Sequence, residues 1–142
     1  MNEDESLRRY GLRPAESDLD QIREMLEIQT ALEHRNQGDG DTGLMKLCCV
    51  QLFNVGTLHD VLMIWQAKSS SWDAHCSIDV QLLCGAGLAE TKAYLVTKGS
   101  ENASAALDYL LQCEAAGDFT DFSVENQSRW YSEWRSSATA TK

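Results

Sequence analysis

Proline is almost absent from this chain. Its single copy, Pro14, precedes the first periodic segment, so beyond it no residue breaks a helix by a missing N–H or a fixed φ. Basic side chains are scarce too, with 12 Lys and Arg against 22 Asp and Glu, for a formal charge of −10. A field of that sign repels phosphate backbones and anionic bilayers, so no nucleic acid and no membrane is expected as a partner, and a basic protein or peptide is. Long apolar runs are also missing: Val61–Trp65 is a fragment of a helix, far short of the roughly 20 residues that cross a bilayer. The opening MNEDESLRRYGLRPAES is acidic and has no apolar stretch of the kind a secretion signal needs, so a cytoplasmic protein is expected. The five cysteines are odd in number, which points to reduced thiols and away from a disulfide framework. In that setting the sequons at Asn102 and Asn126 are chance matches.

What is present is helical periodicity. The 142 residues, 43% hydrophobic, suffice for one core of ordinary size. Leu19, Ile22 and Leu26 follow 3 and 4 spacing, and Ser17 with Asp20 resembles a capping box, which predicts a helix to about Arg35. NQGDGDTG (36–43) reads as a loop. LMKLCCVQLFNV (44–55) predicts a helix closed by Gly56, and Thr57 is expected to cap the next one, with Asp60 at its third position. Further helices are predicted over 73–84, from 88 to about 97, over 100–115 and over 123–135. The fold class is all-α, about seven helices and no strand. The domain plan is an acidic, partly flexible segment 1–16, a single helical domain 17–135 and a disordered tail 136–142.

VQLFNVGTLHDVLMIWQAK (50–68) and VQLLCGAGLAETKAYLVTK (80–98) align at an offset of 30 (80 against 50), with Val, Gln, Leu, a later Leu and the final Lys identical. A period of this size is expected of stacked antiparallel helical hairpins, a short α-solenoid-like repeat in which each hairpin buries its neighbour's apolar face. The segment 44–98 resembles the tetratricopeptide class of hairpin repeats: Cys49 stands where that family packs a small residue between helices, Gly56 where it ends the first helix, and Trp65 where it places a large aromatic. The period is shorter than that family's roughly 34 residues, Val61 replaces a small residue, and the closing proline is missing. The resemblance implies a protein-binding scaffold.

Chemical motifs are weaker. Zinc pairs usually take C-x₂₋₄-C or H-x₃₋₅-H spacing. Cys48-Cys49 and His75-Cys76 are adjacent and point about 100° apart on a helix, so no metal and no cofactor is expected. A thiol-dependent enzyme could pair Cys76, in the first turn of its predicted helix, with His59 or His75. Cys76, Val80, Leu83 and Cys84 otherwise lie near one side of that helix, which makes Cys48, Cys49, Cys76 and Cys84 buried core residues. GDGDTG lacks the terminal Glu of a calcium loop and the Gly-Lys-Ser/Thr of a phosphate loop.

The reading that follows is a non-catalytic interaction module binding a basic protein or peptide. Asp18, Asp20, Glu24, Glu27 and Glu33 of the first long helix are the candidate contact acids, with Trp72, Trp130 and Trp134 as aromatic anchors. A small immunity-type inhibitor of a basic toxin or nuclease is the alternative of similar charge logic. The Cys76 enzyme is the alternative of a different class.

Overall fold

Eight α-helices linked by three short 3₁₀ turns form the computed structural model, and the described residues contain no strand. The backbone is described for residues 1–140 and side chains for 1–135. The tail expected at 136–142 therefore lies outside the residues whose side chains are described. The first helix, α1 (Glu3–Tyr10), falls in the segment expected to be partly flexible. Its composition accounts for it: the Asn2 side chain accepts the Glu5 N–H at 2.9 Å, three acids occupy the first turn, and Arg8 and Arg9 the last, matching the helix dipole at both ends.

The second helix, α2 (Leu19–Arg35), is entered through a 3₁₀ turn over Glu16–Asp18, and neither Ser17 nor Asp18 caps it with a side-chain hydrogen bond. It buries Leu19, Ile22 and Leu26, the last two without residual exposure, which contributes about 1.5–3 kcal/mol per side chain. The predicted loop follows it. Asp41 then caps α3 (Thr42–Val55) by accepting the Leu44 N–H at 3.0 Å, and Gly56, at φ 78°, ends it as predicted, with its N–H on Leu52 O at 3.0 Å.

The third helix is buried all round, from Leu44 to Phe53 except Lys46 and Gly43's neighbourhood at its start. A helix apolar on every face belongs at the centre of a domain. Around α3 pack α2, α1, the short helix α5 (Trp72–Ser77), a 3₁₀ turn at Val80–Cys84 and α8 (Val124–Ala140). Arg135 of α8 pairs with Glu3 of α1, joining the two ends of the chain.

Three local expectations change. Thr57 does not cap the next helix; the chain passes through a 3₁₀ turn, Leu58–Asp60, into α4 (Val61–Lys68), and Asp60 is held by Arg23 of α2. The helix predicted over 73–84 breaks: α5 ends at Ser77, Ile78 and Asp79 are extended, and Val80–Cys84 is 3₁₀. The cause is Lys68. Its buried ammonium donates to the carbonyls of His75, at 2.6 Å, and Ile78, which ends the ladder there. With the helix broken, Val80, Leu83 and Cys84 stay inside, whereas Cys76 is exposed, contrary to the expectation that it is core.

Helix pairing also departs from the hairpins of the sequence alignment. The strongest pairs are α2 with α3, and α6 (Leu88–Lys98) with α7 (Glu101–Ala115). The fourth helix packs on α5, α2 and α7. Of the aligned segments, 61–68 and 88–98 are both helical, but 50–55 belongs to a 14-residue α-helix while 80–84 is a 3₁₀ turn. The two segments touch at their glycines instead. A Cβ on Gly85 would lie 2.5 Å from Phe53 O, and one on Gly56 2.8 Å from Gly85 O, so backbone meets backbone there.

Candidate functional site

The solvent face of α2 follows from its inward face. With Leu19, Ile22 and Leu26 in the core, Asp20, Glu24 and Glu27 point outward at intervals of four and three, one acidic stripe along the helix. Asp18 is half-buried at the entry turn, and Asp20 is paired with Arg23 at 3.2 Å. Glu33 does not belong to the stripe. It is buried, and its carboxylate accepts the N–H groups of Gly38 at 2.9 Å and Gly40 at 3.1 Å and the Ser71 hydroxyl at 2.5 Å. The Ser71 hydrogen bond, assisted by the two backbone donors, holds its pKa below the ordinary carboxylate range. Placing Glu33 among the contact acids is thus corrected: the GDGDTG loop folds back onto it and takes up its charge.

Beside the stripe, α2, α4 and the start of α7 enclose an open cleft of about 510 Å³. Glu27, Thr30 and His34 form one wall, Met63 and Trp65 the other, and Asn102 closes the end. Neither lysine nor arginine lines it. Thr30 Oγ1 is buried and has no hydrogen-bond partner among the described residues.

A row of rings leads away from the cleft. Trp65 lies 5.6 Å from Tyr109, Tyr109 5.2 Å from His75, and His75 stacks on Trp72 at 5.8 Å with 18° between planes. Trp72 is 71% exposed. Its backbone N–H and that of Asp73 donate to Gln37 Oε1 at 3.1 and 3.2 Å, which fixes the start of α5 against the loop that follows α2. Tyr109 Oη and His75 Nε2 are 3.2 Å apart. Burial, aided by the Lys68 charge, lowers the pKa of His75, so its imidazole is neutral at pH 7, and burial raises Tyr109 to about 12. Lys68 itself is lowered by desolvation. Beneath this row it serves as a helix cap, with its ammonium 5.6 Å from the Tyr109 ring centroid.

The structure thus brings Glu27 and the Trp65 end of the ring row to one cleft, with Trp72 at the other end of that row. It leaves Trp130 apart on α8, half exposed and edge-on to buried Tyr131. Trp134 stands one turn further along α8. It is half-buried against the core, with Lys46 Nζ 4.8 Å above its ring and Tyr131 6.1 Å away, because α8 turns this face toward α3. Cys76 is exposed, while the ring of the adjacent His75 is occupied by Tyr109 and Trp72. Among the described residues no three His, Cys, Asp or Glu side chains converge on a point that could hold a metal ion, and no helix is long and apolar enough to cross a membrane.

Sequence reasoning missed Thr30, His34 and Met63 as cleft residues and used Trp65 only as a repeat marker. A β-branched polar residue such as Thr30 inside a long helix is a weak signal of this kind. Met63 and Trp65, two apart on one short helix, carry none until α2 is laid beside them. Comparisons with protein-family models, curated proteins and solved structures find no match for this chain.

Proposed function

We propose that this protein is a non-catalytic interaction module that binds a basic protein or peptide along α2 and the adjoining cleft. The observation that carries the reading is the outward stripe of Asp20, Glu24 and Glu27, whose last member, Glu27, lines a cleft with no lysine or arginine in its wall. Against the net charge of −10, such a stripe steers a cationic partner and fixes its orientation, while the half-buried Met63 and Trp65 offer the apolar contact from which affinity comes. Exposed Trp72, at the far end of the ring row, is a second anchor. The five unpaired thiols suit a reducing, cytoplasmic setting.

The test is capture of the native partner from lysate, followed by calorimetric titration of the purified pair at low and moderate salt. Binding that weakens with salt and is lost on reversing Asp20, Glu24 and Glu27 to lysine is the expected result. A partner whose affinity ignores both salt and the reversed charges sinks the reading.

A further inference from the structure

We propose that the groove between α1 and α2 is the contact of a two-fold homodimer, in which Ile28 of each copy enters the groove of the other and Arg9 of each faces Glu24 of the other. The inference is independent of the binding role proposed above: the cleft beside Glu27 is lined by a different set of α2 residues and opens on another flank of that helix.

Arg9 and Tyr10 of α1 form one wall of this groove, and Gln21, Glu24, Met25 and Ile28 of α2 the other, around a space of about 490 Å³. The Tyr10 hydroxyl donates to Gln21 Oε1 at 2.6 Å and ties the two walls together. Two features select a second copy as the occupant. The first is apolar surface. Ile28 is 52% exposed and Met1, which also lines the groove, 49%, so two large apolar side chains meet water at one place. Two facing grooves alone would leave a void between them, and a protruding Ile28 from each side is the shape that fills it. The second feature is charge. Arg9 and Glu24 are both exposed and line the groove, and among the described residues neither has an ion-pair partner; the Arg9 guanidinium lies 5.6 Å from the Tyr10 ring centroid instead. A groove with one base on its α1 wall and one acid on its α2 wall is its own charge complement: a two-fold axis across it makes two ion pairs from four unpaired groups. A wholly basic occupant would be repelled by Arg9 and a wholly acidic one by Glu24, so neither matches both walls. The net charge of −10 on each copy opposes association at long range. At physiological ionic strength the Debye length is about 8 Å, so at contact the facing pairs outweigh that repulsion.

The experiment is analytical ultracentrifugation of the whole protein, alone, across a concentration series at about 0.15 M salt. The expected result is a concentration-dependent shift from the mass of one chain to that of two. Arg9→Glu and Glu24→Arg, each by itself, should weaken the dimer by about ten-fold or more, because each makes both facing pairs like-charged. An equimolar mixture of the two variants should associate within about three-fold of the unaltered protein, since every facing pair between unlike chains is then again of opposite sign. Arg8→Glu, the same charge change on an exposed neighbour outside the groove, should alter the dimer less than about two-fold. Ile28→Asp, at a half-exposed position, should give a monomer whose circular dichroism is still that of the folded protein. A chain that stays monomeric at every concentration, a dimer that Arg9→Glu or Ile28→Asp leaves intact, an equal effect of Arg8→Glu, or a mixture that fails to reassociate would overturn the inference. None of these outcomes touches the binding role, whose own test reads the salt dependence of the partner complex.

Discussion

The guanidinium of Arg23 grips the carboxylate of Asp60 through two parallel hydrogen bonds, Nε to Oδ1 at 2.8 Å and Nη2 to Oδ2 at 3.0 Å, and so fastens the outer middle of α2 to the turn that launches α4. The Asp60 side chain is 1% exposed and that of Arg23 24%, so the pair joins a buried acid to a partly solvated base. This fork holds together the two helices that form the cleft. It also raises the pKa of Arg23, chiefly through the hydrogen bond to Asp60.

Removing the two partners is therefore expected to be unequal. Arg23→Ala leaves a buried carboxylate without a counter-charge and should destabilise the fold by ~3–5 kcal/mol. Asp60→Ala frees a guanidinium that water can still reach and should cost less. Urea denaturation of both variants and the double variant measures this, and equal losses would mean that the buried acid is not the strained partner.

Acid should weaken the fold through Glu33. Its folded pKa is depressed by Ser71 and the Gly38 and Gly40 N–H groups, so the unfolded chain binds the proton more readily. The stability Glu33 contributes is thus complete above its unfolded pKa and is lost as pH falls through the lower folded value. Glu33→Ala, which strands three donors, should cost about 2–3 kcal/mol at neutral pH and flatten the acid limb of the stability–pH curve. An unchanged acid limb would show that other carboxylates carry it.

The thiols should divide by reactivity. Burial raises Cys48 and Cys84 to about 12 and Cys49 well above its ordinary value, and it also raises Cys113. Exposed Cys76 is the thiol a reagent can reach. Ellman's reagent at neutral pH is expected to label one thiol rapidly in the native protein and the remainder on unfolding, and Cys76→Ser should remove the fast phase. A fast phase that survives in Cys76→Ser would assign it to a core thiol and contradict the burial.

Gly85→Ala should destabilise the protein by about 2–3 kcal/mol, because the added methyl group meets the Phe53 carbonyl at 2.5 Å and its Cα at 3.0 Å, both backbone atoms that cannot step aside. Gly99→Ala is the comparison: its φ of 62° is strained for alanine, but the nearest atom, Val96 O, is 3.8 Å away, so only the milder conformational cost of ~1–2 kcal/mol applies. Thermal melts showing the reverse order would remove the glycine contact as a packing constraint.

The sequence by itself determined that the chain is helical and where many of its helices begin and end. Those decisions are local: Ser100 and Asp41 cap with their own side chains, Gly56 and Gly99 accept the left-handed turn, and proline is absent wherever a helix must run. Burial of Cys48, Cys49 and Cys84 was legible for the same reason, through their spacing among Leu and Val. What only the tertiary structure decided rests on partners distant in the chain. Lys68 caps the carbonyls where the helix predicted over 73–84 stops, and Cys76 lies on the outer side of the short helix that remains; Arg23 draws Asp60 away from a capping role; the loop at 38–40 and Ser71 claim Glu33 from the surface. The cleft belongs to this second class, because Glu27 and Trp65 lie on different helices, and no periodicity along one helix records what another will bring against it.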